Sequence, residues 1–270
     1  MKSTAVIVAL AAVSVGAPIG AQWLNYPAPD TPRTKDGKAN LSARAPKTRD
    51  GKPDLAGIWK AAPDPAGKPE GVENDVFPRY FRNIAMDLTP EQVALRPPAA
   101  ALFKERLASE GRIAPEAHCI PVGVPGITTF PYPFKIVQMP RLIIMLYEKD
   151  TTYRQIFMDG RPLPPDPNPS FNGYSVGRWE ADALVVESVG FRDGGWLDRM
   201  GHPHSDELRL TERYRRRDFG HLSIEMTIDD PGTYAKTLTY TQPAVLLPDT
   251  DLLEYFCTEN EKDVRHFKER

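Results

Sequence analysis

Leu208-Arg209-Leu210-Thr211-Glu212-Arg213-Tyr214-Arg215 alternates apolar and polar side chains with a period of two. Successive side chains of an extended chain point to opposite faces, so Leu208, Leu210, Glu212 and Tyr214 share one face and the arginines the other. The same period runs from Phe134 onward, through 134–139, 142–147, 153–158, 174–180, 183–191, 208–216, 222–228, 236–241 and 252–257. Most of these runs are separated by turn-like breaks such as Glu148-Lys149-Asp150, Asp218-Phe219-Gly220 and Asp230-Pro231-Gly232, too short to hold a crossover helix. The sequence therefore predicts a mainly β domain, an antiparallel up-and-down barrel of the lipocalin-like kind, with a β-sandwich as the alternative.

Upstream the pattern changes. Thr89-Pro90-Glu91-Gln92 opens a helix with a capping hydroxyl, proline at the first helical position and glutamine three residues after the cap. Pro97 and Pro98 break it, and a second helix runs toward Gly111 with Leu102, Phe103 and Leu107 on one stripe, a lid over the domain. Residues 22–88 form an extended proline-rich arm. It repeats itself at a spacing of fourteen, in Pro32-Arg33-Thr34-Lys35-Asp36-Gly37-Lys38 and Pro46-Lys47-Thr48-Arg49-Asp50-Gly51-Lys52, each copy carrying an Asp-Gly turn signal. Leu55-Ala56-Gly57-Ile58-Trp59 is expected to dock as an edge strand, and residues 89–270 to form the helix and barrel domain.

Residues 1–21 have the layout of a secretory signal peptide: Lys2, an apolar run from Ala5 to Val15, and small residues ending at Ala21. The run is too short for a bilayer span, which places the mature chain in the periplasm or outside the cell. A formal charge of −2 gives no electrostatic reason to expect nucleic acid or an anionic membrane as partner. In an oxidising compartment the two cysteines, Cys119 and Cys257, read first as a disulfide and second as two buried thiols.

Chemistry concentrates in Trp196-Leu197-Asp198-Arg199-Met200-Gly201-His202-Pro203-His204-Ser205-Asp206-Glu207, which holds two of the five histidines. Pro203 biases His202 toward extended geometry, and residues two apart then project to one side, so the two imidazoles are expected to converge. They suit proton exchange, with Asp198 orienting them; the alternatives are hydrogen-bonded structural histidines, or a zinc site completed by Asp198 or Glu207. No cofactor is expected. Glu212 faces inward and reads either as an acid/base group of raised pKa or as half of an internal salt bridge. Asp159 and Arg161, on a segment stiffened by five prolines, read either as a clamp for an anionic substrate group or as a mutual pair. Trp179, Trp196 and Tyr214, with the aromatics between Phe130 and Phe134, read as a sugar or aryl pocket or as core. Glycine-rich phosphate loops, the Gly-x-Ser-x-Gly elbow and dinucleotide fingerprints are absent from the sequence.

Several stretches together carry a resemblance: Asp50-Gly51-Lys52-Pro53-Asp54-Leu55-Ala56-Gly57-Ile58-Trp59, Cys119-Ile120-Pro121-Val122-Gly123-Val124-Pro125, Pro131-Tyr132-Pro133-Phe134-Lys135-Ile136-Val137-Gln138, Tyr174-Ser175-Val176-Gly177-Arg178-Trp179-Glu180, Gly201-His202-Pro203-His204-Ser205 and Glu259-Asn260-Glu261-Lys262-Asp263. Through them the chain resembles a widespread family of secreted bacterial proteins of uncharacterised function, best represented in soil bacteria. The resemblance implies export and brings no particular reaction with it. Gly177-Arg178-Trp179-Glu180 also resembles a feature of lipocalin-like barrels, which implies a ligand cavity. The expectation is an exported barrel whose mouth, built from the 159–173 and 192–207 loops, performs acid/base lyase, isomerase or hydrolase chemistry on a small organic molecule. Its rival is a periplasmic carrier of a hydrophobic or aromatic ligand.

Overall fold

The computed structural model of the chain describes residues 27–62, 82–86 and 88–258; the expected signal segment lies outside them. Nine strands close into one barrel: β1 (Gly57–Ala61), β2 (Phe134–Met139), β3 (Leu142–Tyr147), β4 (Thr152–Phe157), β5 (Tyr174–Glu180), β6 (Ala183–Val189), β7 (Arg209–Arg216), β8 (His221–Asp229) and β9 (Leu238–Leu246). Each pairs with its neighbours in chain order, and β9 returns to β1. The sandwich is excluded. A closed ring with an odd number of strands cannot alternate direction throughout, so one neighbouring pair must run parallel. That pair is β4 with β5, joined through only Ile156↔Ser175 and Phe157↔Val176. The proline-rich connection 158–173 makes the return that a hairpin would otherwise make.

The ninth strand is not the one read from the sequence. The 252–257 run forms no strand. Its place is taken by β1 from the arm, which pairs with β2 on one side and β9 on the other. With both edges taken, the ring offers no backbone to a further strand. The arm ahead of β1 crosses one end of the barrel. Its two repeats fold identically: Thr34 Oγ1 and Thr48 Oγ1 each donate to a carbonyl four residues on, at 3.0 Å, and Gly37 and Gly51 take φ of +81° and +78°, a region open to glycine. The arm is then held by the β7–β8 turn, where Phe219 N and Gly220 N donate to Ala43 O and Leu41 O, each at 2.7 Å.

Side chains fill the barrel in cross-strand rows set by register. Ser188, Leu210, Ile228 and Leu238 form one row, Val186, Glu212, Met226 and Tyr240 the next, and Leu184, Tyr214, Ile224 and Gln242 a third, all buried. The expected cavity in the barrel mouth is therefore occupied by the protein itself.

At the other end lie the 190–208 loop, the β8–β9 connection and two helices, α1 (Pro90–Val93) and α2 (Pro97–Ala108). Gln92 Oε1 accepts from Thr89 N at 2.7 Å, closing the first turn of α1 as its sequence predicts. Of the apolar stripe expected on α2 only Phe103 turns inward, onto His202; Leu102 and Leu107 are 37% and 41% exposed, while Ala99 and Arg106 are buried. Arg106 turns inward because it has work there, donating to the carbonyls of Gly194, Gly195 and Gly201 at 3.0–3.3 Å and lying 5.1 Å from the Trp196 ring centroid. Cys119 and Cys257 form the expected disulfide, with Cα atoms 5.5 Å apart. It ties the segment after β9 to the loop after α2, not a last strand to the core. Among the described residues no helix is long and apolar enough to cross a membrane.

Candidate functional site

The 196–204 loop is built around one carboxylate. Trp196 bridges Pro203 and Leu197 N donates to His202 O at 2.8 Å, which closes the loop on itself. Asp198 then fills its centre. Oδ1 accepts from the backbone N–H of Met200, Gly201 and His202 at 3.0, 3.1 and 3.2 Å, while Oδ2 accepts from Ile84 N at 2.9 Å and lies 2.8 Å from His202 Nδ1. Gly201 sits at φ +94°, and a Cβ there would lie 2.7 Å from Arg106 Cβ, so the turn requires glycine on two grounds. Burial pushes the Asp198 carboxyl up, but the neighbouring His202 ring and the N–H groups of Ile84 and His202 outweigh it, and the group is held below the usual carboxylate range.

An ionised Asp198 fixes its histidine partner. With Nδ1–H donated to the carboxylate, the tautomer of His202 that carries a lone pair on Nε2 is selected. The ring is stacked on Phe103 of α2, with centroids 4.2 Å apart, and is 3% exposed. It borders a pocket of about 410 Å³ between the helices and residues 84–86 and 88, lined by Ala85, Leu88, Val93, Leu95, Phe103 and His202 among others. Every other side chain lining it is apolar. This is a small-molecule-sized recess with one protic group.

The remaining sequence-predicted residues are not brought here. His204 does not line the pocket. Its Nδ1 is 3.0 Å from Ser205 O, its ring meets Phe191 edge-on, and it abuts Gly195 so closely that a Cβ there would fall 2.0 Å from Nε2. Burial lowers its pKa and keeps it neutral near neutral pH. The expected convergence of the two imidazoles is thus corrected: the His202 ring stacks on Phe103 and bonds Asp198, whereas the His204 ring packs against Phe191 and Gly195. Glu212 is correctly read as inward-facing, and the salt-bridge reading is the one realised. Both its oxygens bond the guanidinium of Arg154, which also donates to Ser175 Oγ and Ser188 Oγ at 2.9 and 2.7 Å. Tyr214 completes this cluster, donating to Glu212 Oε1 at 2.6 Å.

Asp159 and Arg161 satisfy each other, Nη2 to Oδ2 at 2.6 Å, with the guanidinium 3.9 Å from the centroid of Phe157, an outward side chain of β4. The clamp in the mouth is therefore replaced by a staple on the outer wall. Trp179 packs against the core and Trp196 is buried beneath Arg106. Among the described residues no cluster of three or more His, Cys, Asp or Glu side chains is placed to hold a metal ion.

Sequence reasoning passed over Phe103 as a partner of His202, Ile84 as a donor to Asp198, and Arg154. Only Arg154 carried a signal: it lies two residues before Ile156 on a period-two run, the same argument that turned Glu212 inward. Neither the family models searched nor the curated proteins compared contain a match to this chain.

Proposed function

We propose that this protein transfers a proton on a small, largely apolar organic molecule bound in the pocket beside α2, with His202 as the catalytic base and Asp198 as the residue that positions it. The observation that carries this is the pairing of a buried carboxylate–imidazole dyad with an apolar recess in which that imidazole is the one titratable side chain. Asp198 holds Nδ1–H, so Nε2 accepts the proton, and the imidazolium so formed lies against a buried negative charge that stabilises it. Because no second acid or base lines the pocket among the described residues, the same nitrogen must return the proton or hand it to a leaving group. One-base isomerisation or elimination fits this better than hydrolysis, which needs donors for a developing oxyanion. The signal-like start of the chain and the disulfide support a site of action in the periplasm or outside the cell.

The test is exchange of solvent deuterium into a panel of small unsaturated and aryl ketones and acids, followed by NMR. Wild type should label at least one compound, His202→Gln should lower the rate about 10²-fold or more, and Asp198→Asn should lower it and shift the pH profile. Labelling unchanged in a folded His202→Gln variant would refute the assignment. The apolar lining also favours a second reading, a carrier that holds such a ligand unchanged. That reading is the one left if compounds of the panel raise the melting temperature of wild type and His202→Gln alike, with no exchange in either.

A further inference from the structure

The near-neutral balance of the whole chain conceals a basic segment. Residues 32–52 of the arm hold seven lysines and arginines against two aspartates, a local charge of +5 in a chain of formal charge −2, so the rest of the molecule is net acidic. The fourteen-residue repeat sets these cations in two equivalent arrays. Each turn is closed by a bridge, Arg33 with Ala39 and Lys47 with Pro53, and Thr34 N and Thr48 N donate to Lys38 O and Lys52 O at 2.8 and 2.9 Å. Arg33, Lys35 and Lys38 thus occupy the same backbone positions as Lys47, Arg49 and Lys52. Arg44 lies between the arrays, next to Ala43, whose carbonyl accepts from Phe219 N of the β7–β8 turn; that turn adds Arg217.

What faces these cations decides what they can bind. Arg33 pairs with Asp249 and Lys38 lies 3.3 Å from Asp36, but among the described residues no carboxylate is within ion-pair distance of Lys35, Arg44, Lys47, Arg49 or Lys52. The carboxylates of Asp36 and Asp50 are drawn back onto Thr34 Oγ1 and Thr48 Oγ1 of their own turns. Asp218 of the β7–β8 turn accepts from Gly220 N and lies 2.7 Å from His221 Nδ1. Asp30, Asp54 and Asp251 line the cleft between arm and barrel, with Lys135 and Arg216 among them. Lys35, Arg44, Lys47 and Arg49 are left exposed. The arm offers an anion charge and little else: from Pro27 to Ile58 it has no aromatic residue, Leu55 and Ile58 are buried, and Leu41 packs on Gly220. It therefore lacks a ring on which an unstacked base could lie and a large apolar side chain free to enter a bilayer. A bilayer or a duplex is also broad and would bring its charge up to the acidic remainder of the molecule, whereas one thin chain can follow the arm alone.

We propose that the arm is a docking surface for an acidic polysaccharide, a thin flexible chain whose carboxylates pair along its length with Lys35, Lys38, Arg44, Lys47, Arg49 and Lys52. Ammonium groups and guanidinium forks both suit carboxylates. Single exposed pairs are weak, so binding rests on several at once, and a chain held by one array is presented to the other at high effective concentration. An interaction of this kind weakens as salt rises. The surface lies at the end of the barrel away from the His202 pocket and does not depend on the reaction assigned there.

The experiment is affinity electrophoresis and calorimetric titration of the whole protein with polygalacturonate at low and raised salt, beside a short DNA duplex and phosphatidylglycerol vesicles. Polygalacturonate should bind most tightly of the three and release as salt rises. The triple change Lys35→Gln, Lys47→Gln, Arg49→Gln should weaken that binding about tenfold or more. Lys104→Gln, Arg209→Gln, Lys236→Gln removes the same charge from exposed positions off the arm and should leave binding within about twofold. All six side chains are exposed, so both variants should melt as wild type does, which a thermal scan checks; the charge-keeping change Lys35→Arg, Lys47→Arg, Arg49→Lys should bind as wild type. Absence of binding to polygalacturonate overturns the proposal, as do equal losses in the two glutamine variants. Tighter binding to the duplex or the vesicles overturns it too, by giving the arm a different partner.

Discussion

Two buried groups of one loop make the fold acid-sensitive, and each acts in its own pH range. His204 has its pKa lowered by burial, so its unfolded form binds a proton more readily than its folded form. Its contribution is present above the unfolded histidine value of about 6.5 and is lost as pH falls toward the lower folded value. Asp198, also lowered, keeps its contribution above about 3.9 and loses it only in stronger acid. Urea midpoints at pH 7.5 and 5.0 should therefore differ in wild type, and His204→Asn, which keeps a donor for Ser205 O, should narrow that difference. An undiminished difference would assign the effect to another group. The sequence singled these residues out but did not tell how their surroundings differ. Alternation and Pro203 predict where backbones point; which ring stacks on Phe103 and which wedges against Gly195 depends on α2 and the 190–195 segment, whose contacts no local pattern encodes.

Strand pairing was the most legible level, because burial on one face imposes a period of two that any register must respect. That rule placed Glu212 inside and, applied to β4, places Arg154 there too. The register then brings the two together across the barrel with Ser175, Ser188 and Tyr214 around them. Such a pair is costly to break and of little net worth to keep. Glu212→Gln strands a buried guanidinium and should cost about 3–5 kcal/mol. The triple change Arg154→Met, Glu212→Leu, Tyr214→Phe removes both charges and the tyrosine hydroxyl, leaves Ser175 and Ser188 bonded to each other, and should stay within about 1 kcal/mol of wild type or exceed it. Urea unfolding of the two variants decides the matter: equal losses would mean that the cluster stabilises the barrel as a unit. The α2 stripe failed at the same scale for a related reason. Helical periodicity counts apolar side chains, whereas the face of α2 turned to the loop also carries Arg106, which donates to the carbonyls of Gly194, Gly195 and Gly201.

At the scale of the molecule, closure depends on a strand from outside the periodic region. The alternating segment from Phe134 supplies eight strands, and the last gap, between β2 and β9, is filled by β1 from the arm. The sequence marks residues 55–59 as an edge strand only, and β1 becomes an interior strand because two open edges flank a slot in the core that Trp59 fills, while Ile58 is buried on the opposite face. Burying two such side chains is worth about 1.5–3 kcal/mol each, and the edges they cover are the larger hazard. A chain beginning at Ala62 should therefore expose the β2 and β9 edges and self-associate. One beginning at Pro53 keeps β1 and the Gln138 contacts to Leu55 N and Pro53 O, and should keep the assembly state of the full-length protein with a lower melting temperature. Light scattering and thermal melts of the two truncations provide the comparison. If the shorter chain melts cooperatively at the full-length temperature without self-association, β1 is an ornament on an eight-stranded sheet and the ring is not what holds the helices, the 196–204 loop and the His202 pocket in place.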